Sequence, residues 1–496
     1  MIVGLNKVAL SKCAARVILA GALVVAFFGA SRAEGPVLVA SDSGGPERRV
    51  EPWDTHVLSQ PFDAARLDGT LDHTTLSDLV ARGEALFTAR FEVRDGAGRP
   101  LATQAIVPTK RRRPAALAFQ RMSGMDANAC SGCHNQPVTG GAGDFVTNVF
   151  VSEGFRDAEF DTLDPQFSNE RGTNHLFGAG LIELLAREMT HDLRVTRTRV
   201  LREAKRTGTT VTMPLETKGI TFGTLTAHPD GILDVSGVEG VDPDLTIRPF
   251  THKGVMTSLR QFAVNALNHH HGIQATERFG VRWTGEADHD GDGMADEIGE
   301  GDVSALVAWQ ATLAPPVARE PEDERWRLFA AKGEATFEAI GCASCHVPAL
   351  PLDSVIFSDP GPFDMAGTLR EGEATSATYD LALTAWLAQL PRDEEGRVLV
   401  PLFGDLKRHR IAGGQHTRFG NELLSQRHVP RDVFMTTELW GVADTAPYGH
   451  RNDIPDLEDA ILAHGGDAEA SRDAFAALSA DEQKGVIAFL RTLGVK

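Results

Sequence analysis

Two copies of one five-residue pattern, Cys130-Ser-Gly-Cys133-His134 and Cys342-Ala-Ser-Cys345-His346, constrain this 496-residue chain more than any other feature. Two thiols three residues apart can reach the two vinyl groups of one porphyrin, while the next residue presents an imidazole to the iron. This is the spacing that attaches a c-type haem. The rivals are a zinc knuckle and a redox dithiol, and neither requires a histidine directly after both second cysteines. The fifth cysteine, Cys13, falls in a segment built like an export signal, with Lys7, Lys12 and Arg16, an apolar run from Val17 to Ala30, and Ser31-Arg32-Ala33 before Glu34. About 14 apolar residues fall short of the ~20 that span a bilayer. The expectation is therefore a removed signal peptide over 1–33, a periplasmic protein with no membrane span in the mature chain, and no cysteine left for a disulfide.

The length argues for at least two domains. Acids outnumber bases by 68 to 49, a formal charge of −19, which argues against nucleic acid as a partner because phosphate-backbone binders need clustered cations. The run Lys110-Arg111-Arg112-Arg113 reads as a solvated turn. Self-comparison aligns Gly83-Glu84-Ala85-Leu86-Phe87 with Gly333-Glu334-Ala335-Thr336-Phe337, each ahead of a haem motif. Leu76, Leu79, Val80, Gly83 and Phe87 predict one helix face, and Trp326, Phe329, Ala330, Gly333 and Phe337 the matching face of a second helix. Cys342 follows Phe337 by five residues, whereas Cys130 follows Phe87 by 43, so the first copy carries an insertion. Phe91–Val93 and Leu101–Val107 predict a hairpin within it. Between Arg194 and Phe250, the runs Thr209–Met213, Ile220–Thr226 and Ile232–Val235 predict further β structure. Pro315, Pro316 and Pro321 mark a domain boundary. Ser479 and Glu482 cap a final helix whose buried stripe is Val486, Phe489, Leu490 and Leu493.

Taken with Gly178-Ala-Gly-Leu-Ile-Glu183, Thr445-Ala-Pro-Tyr-Gly-His450 and Leu457-Glu-Asp-Ala-Ile-Leu-Ala-His464, the two motifs resemble the bacterial di-haem cytochrome c peroxidase superfamily, and within it the di-haem oxidoreductase branch. The expected fold class is mainly α: an extended arm over 34–70, a first cytochrome c-like haem domain over 71–314 with a β-rich insertion, and a second over 318–496 with a long loop at 351–378. The resemblance implies that the first haem meets peroxide or oxygen and that the second relays an electron. In the resembled peroxidases, a methionine 14 residues after the histidine of the Ala-Pro-Tyr motif ligates the second haem, and that position here is His464. Its own surroundings agree, because Leu457, Ala460 and Ile461 place His464 on an apolar helix face just before Gly465-Gly466. Bis-histidine ligation should lower that haem's potential.

Those peroxidases also use a distal glutamine and glutamate. The resemblance puts Phe262 near the first position and His270 or His271 near the second, so that histidine would take over acid–base work. Read without it, Phe262 is a core aromatic and His269-His270-His271 a partly exposed helix end. Asp288, Asp290, Asp292, Met294 and Asp296 follow the first half of a calcium loop, with Glu297 or Glu300 left to complete it because Gly299 occupies the twelfth position. The expected cofactors are two covalent haems and calcium, and the expected partners a small redox protein or other electron donor or acceptor and peroxide or oxygen. The function expected is a peroxidase-like oxidoreductase; the alternatives are an oxygenase acting on an apolar organic substrate and a non-enzymatic electron-transfer cytochrome.

Overall fold

Two glycines sit at close helix crossings. The helix His73–Thr88 starts at Asp72, whose carboxylate accepts the Thr75 N–H at 2.7 Å. It buries Leu76, Leu79, Gly83, Leu86 and Phe87 against Glu300–Ala311, a helix buried from Gly301 to its end. A Cβ on Gly83 would run into the Ala305 carbonyl oxygen and come within 2.6 Å of the Trp309 Cβ, so only glycine permits this approach. The second pair repeats it. Glu324–Ala339, capped by Asp323, crosses Ala480–Leu490, and a Cβ on Gly333 would strike the Gly485 carbonyl. Of the predicted second face, Ala330, Gly333 and Phe337 are buried. Trp326 is not: it is 37% exposed and donates Nε1–H to the Ala488 carbonyl at 2.9 Å, because the close crossing leaves no room for an indole beneath.

The computed structural model describes residues 56–98, 129–148 and 170–495, apart from 366, 375, 414–417 and 423–424. The signal, most of the arm, the second half of the predicted hairpin and Lys110–Arg113 lie outside these. Phe91–Val93 does not begin a strand; Val93–Asp95 is a 3₁₀ turn closed by Gly96 at φ +89°. The described part of the arm holds two 3₁₀ turns and the strand Gly69–Thr70.

The fold is mixed rather than mainly α. Among the described residues the strands form five sheets of two or three strands. Val211–Thr217, Ile220–Ala227 and Leu233–Asp234 make an antiparallel sheet in sequence order, beside the 29-residue helix Ala179–Thr207. The predicted loop at 351–378 instead contributes Leu350–Leu352, paired with Val398–Val400, and Ile356–Asp359, paired with Ala377–Asp380. Gly69–Thr70 joins this last sheet in parallel. Strands of three or four residues are too short to display a period, so their pairing is decided by partners far along the chain.

The largest apolar cluster combines Leu79, Leu86, Leu181 and Leu185 with Leu350, Phe357, Tyr379 and Trp440, so the core runs on past Pro315–Pro321. A smaller one gathers Phe337, Phe475, Phe489 and Leu490. Each such fully buried side chain contributes about 1.5–3 kcal/mol. The Arg260 guanidinium, 1% exposed, pairs with Glu277 at 2.5 Å and Asp359 at 2.8 Å and donates to Ser304 Oγ at 2.9 Å. It ties the helix Leu259–Ala266 to the strand Ile356–Asp359. Among the described residues no helix is long and apolar enough to cross a membrane.

The crossings give a stability prediction. Gly333→Ala should lower unfolding free energy by about 1–3 kcal/mol through overpacking. Gly420→Ala, where nothing lies within 4 Å, should stay within about 0.5 kcal/mol. Denaturant midpoints measure both, and equal effects would contradict the close crossing.

Candidate functional site

Both cysteine motifs sit where a helix from a glycine crossing delivers an aromatic ring. Four residues after Gly83, Phe87 stacks on Trp309 with centroids 4.2 Å apart and lies 5.9 Å from His134. Four residues after Gly333, Phe337 lies 5.5 Å from Phe489 and 6.3 Å from His346. Each motif makes one tight turn, with the His134 N–H donated to Cys130 O and the His346 N–H to Cys342 O, both at 3.0 Å.

The imidazoles are oriented in one way. His134 Nδ1 bonds the Gly141 carbonyl at 3.2 Å, and His346 Nδ1 the Phe403 carbonyl at 3.2 Å. His464, just beyond the helix Leu457–Leu462, bonds Ala460 O through Nδ1 at 2.8 Å. A carbonyl only accepts, so in each ring Nδ1 carries the proton and Nε2 keeps its lone pair for a metal. Burial holds His134 and His346 down at about 4, the neighbouring His464 adding to the effect on His346, and burial lowers His464 also. All three are therefore neutral, the form that ligates.

His346 and His464 stand with ring centroids 6.5 Å apart. Two imidazoles sharing one metal, with metal–nitrogen bonds of about 2 Å and about 1.2 Å from nitrogen to ring centre, would stand roughly 6.3 Å apart. The observed spacing matches that value. The cavity there, about 270 Å³, is lined by Cys342, Cys345, His346 and His464 with Phe337, Phe419, Phe434 and Tyr448. Phe419 meets the His464 ring edge-on at 5.2 Å.

The redox-dithiol rival fits less well. A redox dithiol needs a depressed thiol pKa, yet burial pushes Cys130 up to about 12 and Cys342 up to about 11. Cys345, Asp405 and His409 do bring three donor atoms within 4.8 Å of one another. Burial opposes a charge on His409, but Asp405 at 2.7 Å and Cys345 outweigh it and hold the ring at about 10.

At the first motif the histidine run divides. The helix Leu259–Ala266 continues as one π turn, Leu267–His271, stopped by Gly272 at φ +73°. Its N-terminus is held by Glu183, which accepts the Leu259 N–H at 2.7 Å. His271 is buried, with Nε2 3.7 Å from Cys130 Sγ and its ring 5.1 Å from Phe91. His270 is half-buried, its ring centre 6.4 Å from that of His271. Phe262 is half-buried.

His175, which the sequence does not single out, is half-buried, and burial, with a smaller effect of the nearby His134, holds it down at about 4. It bonds the Trp440 carbonyl at 3.0 Å and reaches the second cavity. Its position beside Gly178–Glu183 was the only signal.

In the acidic loop, Asp288 accepts the N–H groups of Gly291 and Gly293 at 2.7 and 3.0 Å, and Asp292 that of Met294 at 2.7 Å. The carboxylates of Asp288, Asp290 and Asp292 converge within 4.8 Å. Asp290 is fully buried and its Oδ2 has no hydrogen-bond partner. Met294 is half-buried, whereas Asp296 is exposed and its N–H closes the loop on Ala287 O at 2.9 Å. Glu297 turns inward; Glu300 begins the next helix. Burial and the charges of Asp292 and Asp288 push Asp290 up to about 8, and burial with all three aspartates raises Glu297 well above the usual range.

No protein-family model matches the chain, and no curated protein does. Among solved structures it is similar to a hydrazine synthase of Kuenenia stuttgartiensis, at 12% identity and a TM-score of 0.34, over 93% of this chain and 100% of the other. It is also similar to a MauG-like protein associated with microbial copper homeostasis, at 15% identity and a TM-score of 0.29, over 55% of this chain and 79% of the other. Both are loose overlaps of shape.

The buried carboxyl yields a pH prediction. Asp290 rises from 3.8 to about 8 on folding, so in the presence of a chelator its contribution to stability is full below about pH 4 and is lost as pH rises to about 8. Asp290→Asn should flatten that decline in denaturation curves taken across the interval. An unchanged slope would mean that this carboxyl does not titrate with folding.

Proposed function

We propose that the chain is a periplasmic di-haem c-type oxidoreductase of peroxidase-like type, built from two cytochrome c-like units and exported by residues 1–33. Cys130, Cys133 and His134 would hold the first haem. Cys342, Cys345, His346 and His464 would hold the second. The observation that carries the reading is the His346–His464 pair, 6.5 Å apart with both Nδ1 atoms committed to carbonyls. The haems would supply one-electron chemistry toward peroxide or oxygen. The chain's own residues do the rest. Gly141 O, Phe403 O and Ala460 O keep the imidazoles oriented, and the pairs Phe87–Trp309 and Phe337–Phe489 pack beside His134 and His346. His271 offers an imidazole nitrogen at the first site to hold or move a proton, a role in which it takes precedence over His270 and Phe262. Electrons would be exchanged with a small redox protein. The acidic loop would bind calcium.

The nearness of His271 to Cys130 also favours a second reading, in which this ring closes the first iron and the protein only carries electrons.

Haem counting and a small neutral ligand separate these readings. Pyridine haemochrome analysis should report two haems per chain, and one after Cys342→Ala with Cys345→Ala. Carbon monoxide added to the fully reduced protein should bind one haem in the wild type and two in His464→Ala. No binding to the wild type would favour the carrier; binding to both of its haems would remove His464 as a ligand.

A further inference from the structure

The wall of the second cavity carries a carboxylate without a counter-charge. Glu438 follows the strand Val433–Met435, which pairs antiparallel with Arg408–Arg410. Its backbone is pinned on both sides, because the Thr436 N–H is donated to Lys407 O at 3.0 Å and the Leu439 N–H to Leu402 O at 3.1 Å. The side chain is half-buried and lines the cavity that His346 and His464 share. It bonds neither of those rings, whose Nδ1 atoms are taken by Phe403 O and Ala460 O. Burial pushes Glu438 up to about 7, and only its own N–H opposes the rise.

The other ionisable groups along that wall do not compensate it. His409 is bonded to Asp405 at 2.7 Å, and Asp467 accepts the Arg410 N–H at 3.0 Å. Arg472 donates to His464 O at 2.9 Å and pairs with Glu469 and Asp473. Behind the strand, Lys407 pairs with Glu239 at 3.9 Å. Tyr448 donates its hydroxyl to Val442 O at 2.9 Å. Burial, as the largest cause, holds His175 and His252 down at about 4 and His450 at about 2, so these three rings are neutral.

An electron placed in a cavity of low dielectric leaves a charge that the interior solvates poorly, and a nearby carboxylate adds to that cost. A proton that arrives with the electron cancels it. We propose that Glu438 takes up one proton from water for each electron stored at the second haem and releases it when that electron leaves. One electron from the redox partner enters the haem, one proton enters the Glu438 carboxylate, and the net charge of the cavity is unchanged. Both depart together on reoxidation. The proposal rests on the reading of Cys342, Cys345, His346 and His464 as a haem site.

Potentiometric titration of the full-length holoprotein, following the low-spin signal of the second haem, tests this. Between about pH 6 and 8 the reduction equilibrium constant of the wild type should fall up to tenfold, about 59 mV, for each unit of pH. Glu438→Gln keeps the shape of the side chain and removes its titration, so it should flatten that slope, and Glu438→Asp should restore it. A residue that only supports the cavity wall would move the potential without changing its slope. Infrared difference spectra, reduced minus oxidised, should show a carboxylic acid band that appears on reduction of the wild type and is missing from Glu438→Gln. A slope that is as steep in Glu438→Gln, a wild-type potential independent of pH, or a band that survives the substitution overturns the proposal. Haem content and carbon monoxide binding on the same samples keep the two readings apart. Two haems, the second closed, with a pH-independent potential defeats only this proposal; fewer than two haems, or a second iron that is high-spin, defeats the haem reading and this proposal with it.

Discussion

The close approach of helix backbones at Gly83 and Gly333 is the constraint on which the rest depends. A methyl group at either position would overlap a carbonyl oxygen of the crossing helix. Closing that gap brings Phe87 onto Trp309 and Phe337 beside Phe489, and each pair forms the wall next to the motif histidine. The correspondence is positional as well as chemical. Trp309 follows Ala305, the residue that Gly83 touches, by four positions, and Phe489 follows Gly485, the residue that Gly333 touches, by four. One helical turn thus converts a steric contact into an aromatic wall, twice.

Around that frame the two sites diverge. The second takes its further histidine from late in the chain, with His464 delivered by the helix Leu457–Leu462 and backed by Phe419. The first draws on distant segments. His271 arrives on a π turn, a helix irregularity often found where side chains must be re-aimed. Glu183 fixes the start of that helix, Arg260 locks its side to Glu277 and Asp359, and Glu297 holds the segment beyond it. A buried pair such as Arg260–Glu277 adds little net stability, but removing one partner typically costs about 3–5 kcal/mol. Its service here is to hold the His271 helix in one place.

Much of this was legible in the residues. The Cys-x-x-Cys-His pattern is legible because its three donor residues lie within five consecutive positions. The paired helices and the final capped helix could be read as well, since an apolar face with a 3.6-residue period and a Ser479–Glu482 capping box are local properties. His464 was readable for the same reason, from the face defined by Leu457, Ala460 and Ile461. The strands between 350 and 380 were not, nor was the exposure of Trp326, because both depend on what lies opposite.

The sequence by itself determined the two Cys-x-x-Cys-His motifs, the helices that precede them and the acid-rich loop, all written in spacings of a few residues. Only the tertiary structure decided which histidine of the run 269–271 stands at Cys130, that His175 lies beside His134, and that Glu297 joins the acidic loop to Gln274. The physical reason is the same in each case. A π turn shifts the side chains beyond it off the regular helical period, and the contacts of His175 and Glu297 are made with neighbours 23 to 265 residues away. No local pattern encodes a distance of that kind.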